Sequence, residues 1–308
     1  MKRFLIIGFS VVFAFFTVGF FLPKEKVFTQ SFNSPIPFDG ISRVIVNKDQ
    51  WKNWWPGRIM NDSTVSFKNH TITIHTILLN GFKATMTEGN SKTYLDLQSI
   101  ATYNAETAIT LTTTTYLSSN PFIKIFQYLF IGGTKRTVTD LLGHLKKELS
   151  DVKKVYGFNI KMGKVPNSSY VSVKQDFDHY PSNEELYKMI NEISAYINTE
   201  NSKVMNDPIL NIVKENNKSY TAMVAVASDK DLPTQGKFML KNMMLGNIVV
   251  AEVTGGPAII EKCRQAVQFY VNDFRKISPA IAFERMISNR LTVDSSQWVT
   301  TINYPVFQ

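Results

Sequence analysis

Pro279-Ala-Ile-Ala-Phe-Glu-Arg-Met286, a polar loop, and Ser295-Ser-Gln-Trp-Val-Thr-Thr-Ile-Asn-Tyr-Pro-Val306 make up the stretch from which the fold is read. Two apolar-rich segments flank the loop, as in an antiparallel strand pair. A single carboxylate, Glu284, stands in the middle of the first segment, beside Ala282, Phe283 and Met286, which suit a core. A carboxylate in such company is paired, reaches water through a cavity, or is held for a ligand. The plainer reading leaves Glu284 on the wet face of an antiparallel strand.

Upstream of this stretch the same order of elements occurs twice. In the first round a strand ends around Tyr170-Val-Ser-Val-Lys-Gln175 and a helix opens at Pro181-Ser-Asn-Glu-Glu185. Ser182 is its expected N-cap and Glu185 the capping-box partner. Leu186, Met189, Ile190, Ile193, Tyr196 and Ile197 then fall on one helical face. Strands follow at 208–213 and 220–227. After Asp229-Lys-Asp-Leu-Pro-Thr-Gln-Gly236 the second round begins: a strand at 246–253, the turn Gly255-Gly256-Pro257, a helix at 258–277, and strands at 280–288 and 298–304. The strand-helix-strand-strand order repeats at about 80 residues.

Phe283-Glu284, the loop, Trp298-Val-Thr-Thr-Ile-Asn-Tyr-Pro-Val306, Asp231-Leu-Pro-Thr-Gln-Gly236 and Val249-Val-Ala-Glu-Val-Thr-Gly-Gly-Pro257 resemble the gyrase-inhibitor-like domain, also called the AraC-type effector-binding domain. The resemblance extends over roughly residues 156–308. It implies two halves with sheets side by side, helices on one face and a ligand cleft at the seam. It also implies that Glu284 faces a pocket for cationic or amphipathic small molecules. Met286 stands where the family usually carries an aromatic residue. Trp298, Tyr270 and Tyr220 are the candidate wall residues, each equally at home in a core.

With 308 residues the chain has room for about two domains. Its 44% hydrophobic and 19% charged content excludes a disordered chain. The net charge of +9 is scattered among acids and aromatics, and no basic base-reading helix occurs, so no nucleic-acid partner is expected. Anionic lipid surfaces, or plain solubility, account for the excess. Cys263 is the one cysteine, which excludes an intrachain disulfide, and it reads as a buried inert thiol within a helix. The four histidines are dispersed; no metal site and no cofactor are expected.

Residues 4–22 form an uncharged run of 19 residues, long enough to cross a hydrocarbon core. Lys2 and Arg3 precede it, and Pro23, Lys24 and Lys26 follow. A cleaved signal wants a shorter apolar centre and a small-residue exit, and Val-Gly-Phe-Phe-Leu-Pro offers a poor one. Residues 1–26 therefore read as a single-pass membrane anchor, with a signal peptide as the alternative. The soluble domains are expected outside the cytoplasm. Asn61, Asn69, Asn167 and Asn217 sit in glycosylation triplets, which have meaning only in a eukaryotic secretory route.

Residues 27–155 read as a first domain. A strand at 27–37 leads to a helical pattern at 38–51, then Trp51-Lys-Asn-Trp-Trp-Pro-Gly57, with three tryptophans in five positions. The cluster fits a membrane-interface belt, a ligand lid or core packing. Residues 64–118 alternate with period two, as in Thr71-Ile-Thr-Ile-His-Thr-Ile77, with an Asn80-Gly81 turn: an antiparallel meander. From Phe122 the period becomes helical and continues to Lys154, with a kink expected at Gly132-Gly133. This order resembles the START-like helix-grip family, the polyketide-cyclase and birch-pollen-allergen group. That resemblance implies a long helix closing a curved sheet over an apolar cavity; a filled core is the alternative.

The expected protein is thus α+β: an N-terminal membrane helix, a helix-grip antiparallel sheet domain, and a duplicated β-α-β-β effector-binding domain. Its expected role is non-catalytic binding of an amphipathic or cationic small molecule, with Glu284 as counter-charge. Two alternatives stand beside it. One is a small-molecule hydrolase with Glu284 as general base, as the resemblance implies for some family members. The other is a lipid or polyketide carrier acting through the first domain. A DNA-binding regulator is not expected, since no helix-turn-helix pattern is present.

Overall fold

The computed structural model describes residues 15–307, apart from Asn90, Ile131, Asn217, Lys218 and Pro279. Residues 4–14 of the expected membrane span, the Asn217 triplet and Pro279 therefore lie outside the described residues. Residues 15–21 are helical, with Phe15, Phe20 and Phe21 exposed. Among the described residues no helix is long and apolar enough to cross a membrane. The chain divides into two compact units, Met1–Val155 and Tyr156–Gln308.

The first unit runs β1 (Glu25–Ser34), α1 (Phe38–Val46), α2 (Lys48–Trp54), β2 (Thr64–Phe67), β3 (His70–Leu78), β4 (Gly81–Glu88), β5 (Ser91–Ala101), β6 (Thr107–Tyr116), α3 (Pro121–Phe130) and α4 (Gly132–Leu149); α5 (Val152–Tyr156) follows at the division. Its sheet has the order β1-β6-β5-β4-β3-β2, and every pairing is antiparallel. The period-two pattern is realised directly, since along β6 buried and part-buried residues alternate from Thr107 to Thr115. The single helix expected at 38–51 is two. Asn47 adopts an extended backbone and its side chain accepts from the Asp49 amide at 3.0 Å, which ends one helix and caps the next. The helix expected to run on to Lys154 breaks again, because the Asp151 carboxylate accepts from the Lys153 amide at 2.8 Å.

The three tryptophans are core. Trp51, Trp54 and Trp55 are buried, and the Trp51 and Trp54 indoles donate to the Ile45 and Val44 carbonyls at 2.8 and 3.2 Å. Trp55 packs against Phe82 with ring centroids 6.3 Å apart. On α4, Val138, Leu141, Leu142, Leu145 and Leu149 are buried, and the Ser34 hydroxyl donates to the Leu149 carbonyl at 2.6 Å. The order of elements is the expected one for this unit.

The second unit runs β7 (Ile160–Lys164), β8 (Ser169–Phe177), α6 (Asn183–Thr199), β9 (Ile209–Lys214), β10 (Tyr220–Ala227), β11 (Met239–Asn242), β12 (Asn247–Thr254), α7 (Pro257–Asp273), β13 (Phe283–Met286) and β14 (Val299–Val306). The sheet order is β11-β8-β10-β9-β13-β14-β12-β7, antiparallel throughout. From the middle outward, β9-β10-β8 on one side matches β13-β14-β12 on the other, so the repeat is a repeat in space. The halves meet where Glu284 pairs with Leu210 and Arg285 with Ile209. The edge strands β7 and β11 were not expected as separate strands. Both are short, and lysines or glycine blur their alternation.

The N-terminus of α6 carries the predicted capping box, Ser182 with Glu185. The apolar stripe of α6 packs with Val171, Val173, Leu210, Ala222, Val224, Val226 and Met286. This fixes the helix-covered face of each strand. Before α7, Gly255 has φ of 142°, which side chains rarely adopt, so the Gly255-Gly256-Pro257 turn needs its glycine. α7 stops at Asp273 rather than continuing to 277. Arg275 takes φ of 50° and the Lys276 amide donates back to the Val271 carbonyl at 2.9 Å. β13 is also shorter than expected. The Asn211 side-chain amide donates to the Ala282 carbonyl at 2.9 Å, a bond made by a side chain in place of the ladder.

Candidate functional site

Strand alternation decides where the key carboxylate points. Met286 packs with the α6 core, so Glu284, two residues earlier, shares the helix-covered face. It is buried, and both of its oxygens are engaged. Arg264, on α7, donates to Oε1. Arg290, from the loop after β13, donates to Oε2 at 2.9 Å and to the Thr300 hydroxyl at 2.9 Å. The Arg290 backbone amide in turn donates to the Tyr187 hydroxyl of α6 at 2.9 Å, tying that loop to the first half.

The two guanidiniums differ. The Arg290 side chain is 7% exposed, whereas that of Arg264 is 35% exposed and also meets Glu261 at 3.2 Å, one helical turn away. Arg290 lies over the Trp298 ring, 5.0 Å from its centroid, and the indole donates to the Val293 carbonyl at 3.3 Å. Tyr180 and Tyr220 meet edge to face, with centroids 5.6 Å apart. Burial pushes the Tyr180 hydroxyl up, and the Glu284 charge adds to this while Arg264 and Arg290 oppose it, so the Tyr180 hydroxyl lies within the field of the cluster. Burial, then Glu284, pushes the Cys263 thiol up to about 12, which keeps it protonated and inert.

Of the residues expected at the site, the structure brings Glu284 and Trp298 together through Arg290, and Tyr220 joins through Tyr180. Tyr270 stands apart. It is buried against Tyr156 and Phe274, with centroids 5.4 and 4.3 Å away. Arg264, Arg290 and Tyr180 were missed. Arg264 carried a signal: it lies four residues after Ile260 and three before Val267, a basic residue on the buried stripe of α7. Arg290 and Tyr180 lie in loops, which have no period to read.

Glu284 with Glu261 balances Arg264 with Arg290, so the cluster as it stands is neutral. Each Glu284 oxygen accepts from one guanidinium in this arrangement. Among the described residues no group of three or more His, Cys, Asp or Glu side chains could hold a metal ion. A cavity of about 680 Å³ exists in this unit, on the face of the sheet away from the helices, and none of the four expected site residues lines it.

No protein-family profile matches the chain, and no curated protein does. Solved structures similar to part of it include EcmrR in a DNA complex, 17% identical over 60% of this chain and 72% of that one, with a TM-score of 0.44. The C-terminal domain of EcmrR is 14% identical over 49% of this chain and 98% of that one, at 0.42. SAV2435 bound to tetraphenylphosphonium is 15% identical over 48% of this chain and 94% of that one, at 0.32. Likenesses at these identities and scores add no argument to the geometry.

Proposed function

We propose that the second unit binds a small amphipathic cation at the seam between its halves, without catalysis, and that Glu284 is the counter-charge. The observation that carries this reading is the unequal pair of arginines on one buried carboxylate. Arg290 is enclosed and fixed by Thr300 and Trp298; Arg264 stands a third in water with Glu261 as a second partner. A ligand cation takes the place of Arg264, whose guanidinium swings to Glu261 and solvent. Tyr180, Tyr220 and Trp298 offer aromatic faces to a lipophilic cation nearby.

Arg264 is in this account a built-in competitor. A binding-competent state populated only in part weakens apparent affinity by that fraction. A partly exposed ion pair is worth roughly 0.5–1 kcal/mol, so the competition costs about two- to fivefold in affinity. Binding is therefore tunable by ionic strength. No observation favours the hydrolase or the carrier reading over this one. For residues 1–26 we keep the anchor reading, with both units outside the cytoplasm. Protease protection of the chain in sealed cells tests it, and full protection from outside would reject it.

The test is a thermal-shift screen on the full chain with tetraphenylphosphonium, a neutral amphiphile and an anionic control. A ligand at 100 times its Kd stabilises by about 2.7 kcal/mol. The cation is expected to raise the midpoint of native protein and not of the E284Q/R290Q pair, which removes one charge of each sign so that no new unbalanced ion is buried. An equal rise in both proteins would reject Glu284 as the counter-charge.

A further inference from the structure

The opposite face of the same sheet carries a second, chemically different site. Alternation turns Ile209 of β9, Met223 and Ala225 of β10 and Phe283 of β13 away from α6 and α7. These side chains floor the cavity of about 680 Å³, which falls within the roughly 300–1,000 Å³ of pockets that enclose small ligands. Its walls come from the segment before β12, with Met244 and Leu245, and the segment before β13, with Ile281. These three are 71%, 63% and 64% exposed, so the mouth of the cavity stays apolar where it opens to water. Ile209, Ala225 and Phe283 are themselves buried in a hydrophobic cluster with Tyr170 and Ile248, whereas Met244, Leu245 and Ile281 turn apolar surface outward beside the hollow.

The charges around the cavity have one sign. Lys164 and Lys241 line it, and no aspartate or glutamate does. Lys164 donates to the Asn247 side-chain oxygen at 2.5 Å, which holds its ammonium at the rim. Lys241 has no hydrogen bond or ion pair from its ammonium among the described residues. Arg285 shares this face with Phe283; burial raises the Tyr170 hydroxyl in the cavity wall, opposed first by a hydrogen bond with the Asn167 side chain and then by the Arg285 charge. An apolar hollow with cations at its edge is the complement of a chain that ends in an anion.

We propose that this cavity binds one monomeric single-chain anionic amphiphile, of the fatty-carboxylate class, with the alkyl chain on Phe283, Ile209, Met223 and Ala225 and the head group between Lys164 and Lys241. The site is independent of the Glu284 seam, since the two lie on opposite faces of one sheet and select opposite charges. The lysines give specificity for charge, and the floor gives affinity that rises with chain length. Each buried methylene is worth up to about a fourfold gain in affinity.

Titration calorimetry of the full chain tests this with two probes of one chain length, each below its micellar concentration: laurate and the uncharged dodecyl maltoside, neither of which suits the cation site at Glu284. Octanoate and decanoate extend the carboxylate series. Native protein is expected to prefer laurate over dodecyl maltoside by at least tenfold, with affinity rising two- to fourfold per methylene. The exposed double variant K164Q/K241Q is expected to fold, lose the charge preference and keep the chain-length slope. A225W is expected to abolish binding of both probes by filling the floor. Equal affinity for laurate and dodecyl maltoside, preference unchanged in K164Q/K241Q, or no binding by native protein would each overturn the proposal. Binding of dioleoylphosphatidylglycerol vesicles but of no monomeric probe would also overturn it, in favour of a membrane-docking face.

Discussion

Replacing each arginine of the cluster in turn should give unequal losses, although both bond the same carboxylate. Arg290 and Glu284 have side chains that are each 7% exposed. Removing one member of a buried pair typically costs about 3–5 kcal/mol, because the other charge is left without compensation. Arg264 remains beside Glu284 in Arg290→Gln, which places the loss at the low end, near 3 kcal/mol. The loss also strips a charged donor from the Thr300 hydroxyl and the cation from the Trp298 ring. Arg264 is 35% exposed and screened by water, so Arg264→Gln should cost only about 0.5–1 kcal/mol. A whole-chain melt would mix two units and is not a two-state quantity. Hydrogen exchange under a urea series, read on peptides covering 283–306, isolates the second unit. Opening free energies of β13 and β14 should fall by about 3 kcal/mol in Arg290→Gln and by no more than about 1 in Arg264→Gln. Equal losses, or a larger loss for Arg264, would refute the assignment of Arg290 as the fixed partner and Arg264 as the exchangeable one.

Three further outcomes follow from the same structure. His179 donates to or accepts from Asp178 and Glu185, and these contacts raise its pKa above the ordinary 6.5, Asp178 contributing most. A raised folded value stabilises below the unfolded pKa and is lost as pH rises through the folded one. His179→Gln should therefore lower the second unit's midpoint at about pH 5.5 and leave it unchanged near pH 9; an effect larger at high pH would contradict this sign. Ser182→Ala should cost α6 about 1 kcal/mol through loss of the bond to the Glu185 amide, read by exchange of the first helical turn. Ile193→Ala, at a fully buried position of the α6 stripe, should lower the opening free energy of α6 by about 3–4 kcal/mol, read by hydrogen exchange under a urea series, and a value under about 1 would place that helix off the sheet.

The repeat was legible because period and punctuation agree. The Ser182–Glu185 box and the Gly255-Gly256-Pro257 turn are local signals with local causes, and each stands where it was read. Elements failed to be read where a side chain overrode the pattern. Asn47 splits one helical period into two helices, and Asn211 takes the Ala282 carbonyl out of the β13 ladder. The tryptophan cluster had several readings because composition gives no direction, and hydrogen bonds to the Ile45 and Val44 carbonyls settle it as core. Glu284 was found as a carboxylate among apolar neighbours, but its arginines come from a helix 20 residues upstream and a loop six residues downstream, a meeting that only the seam creates. The cavity on the far face has no sequence signature at all, because every strand of the unit supplies only one or two residues to it and the segments before β12 and β13 supply most of the rest.

The proposed competition between Arg264 and a ligand cation for Glu284 is measured by titration calorimetry with tetraphenylphosphonium on native protein and on Arg264→Gln. The variant is expected to bind about two- to fivefold more tightly than native, since the competing pair is gone while the carboxylate remains. Weaker or unchanged binding by Arg264→Gln would contradict it and would leave the Glu284 cluster a structural ion-pair network.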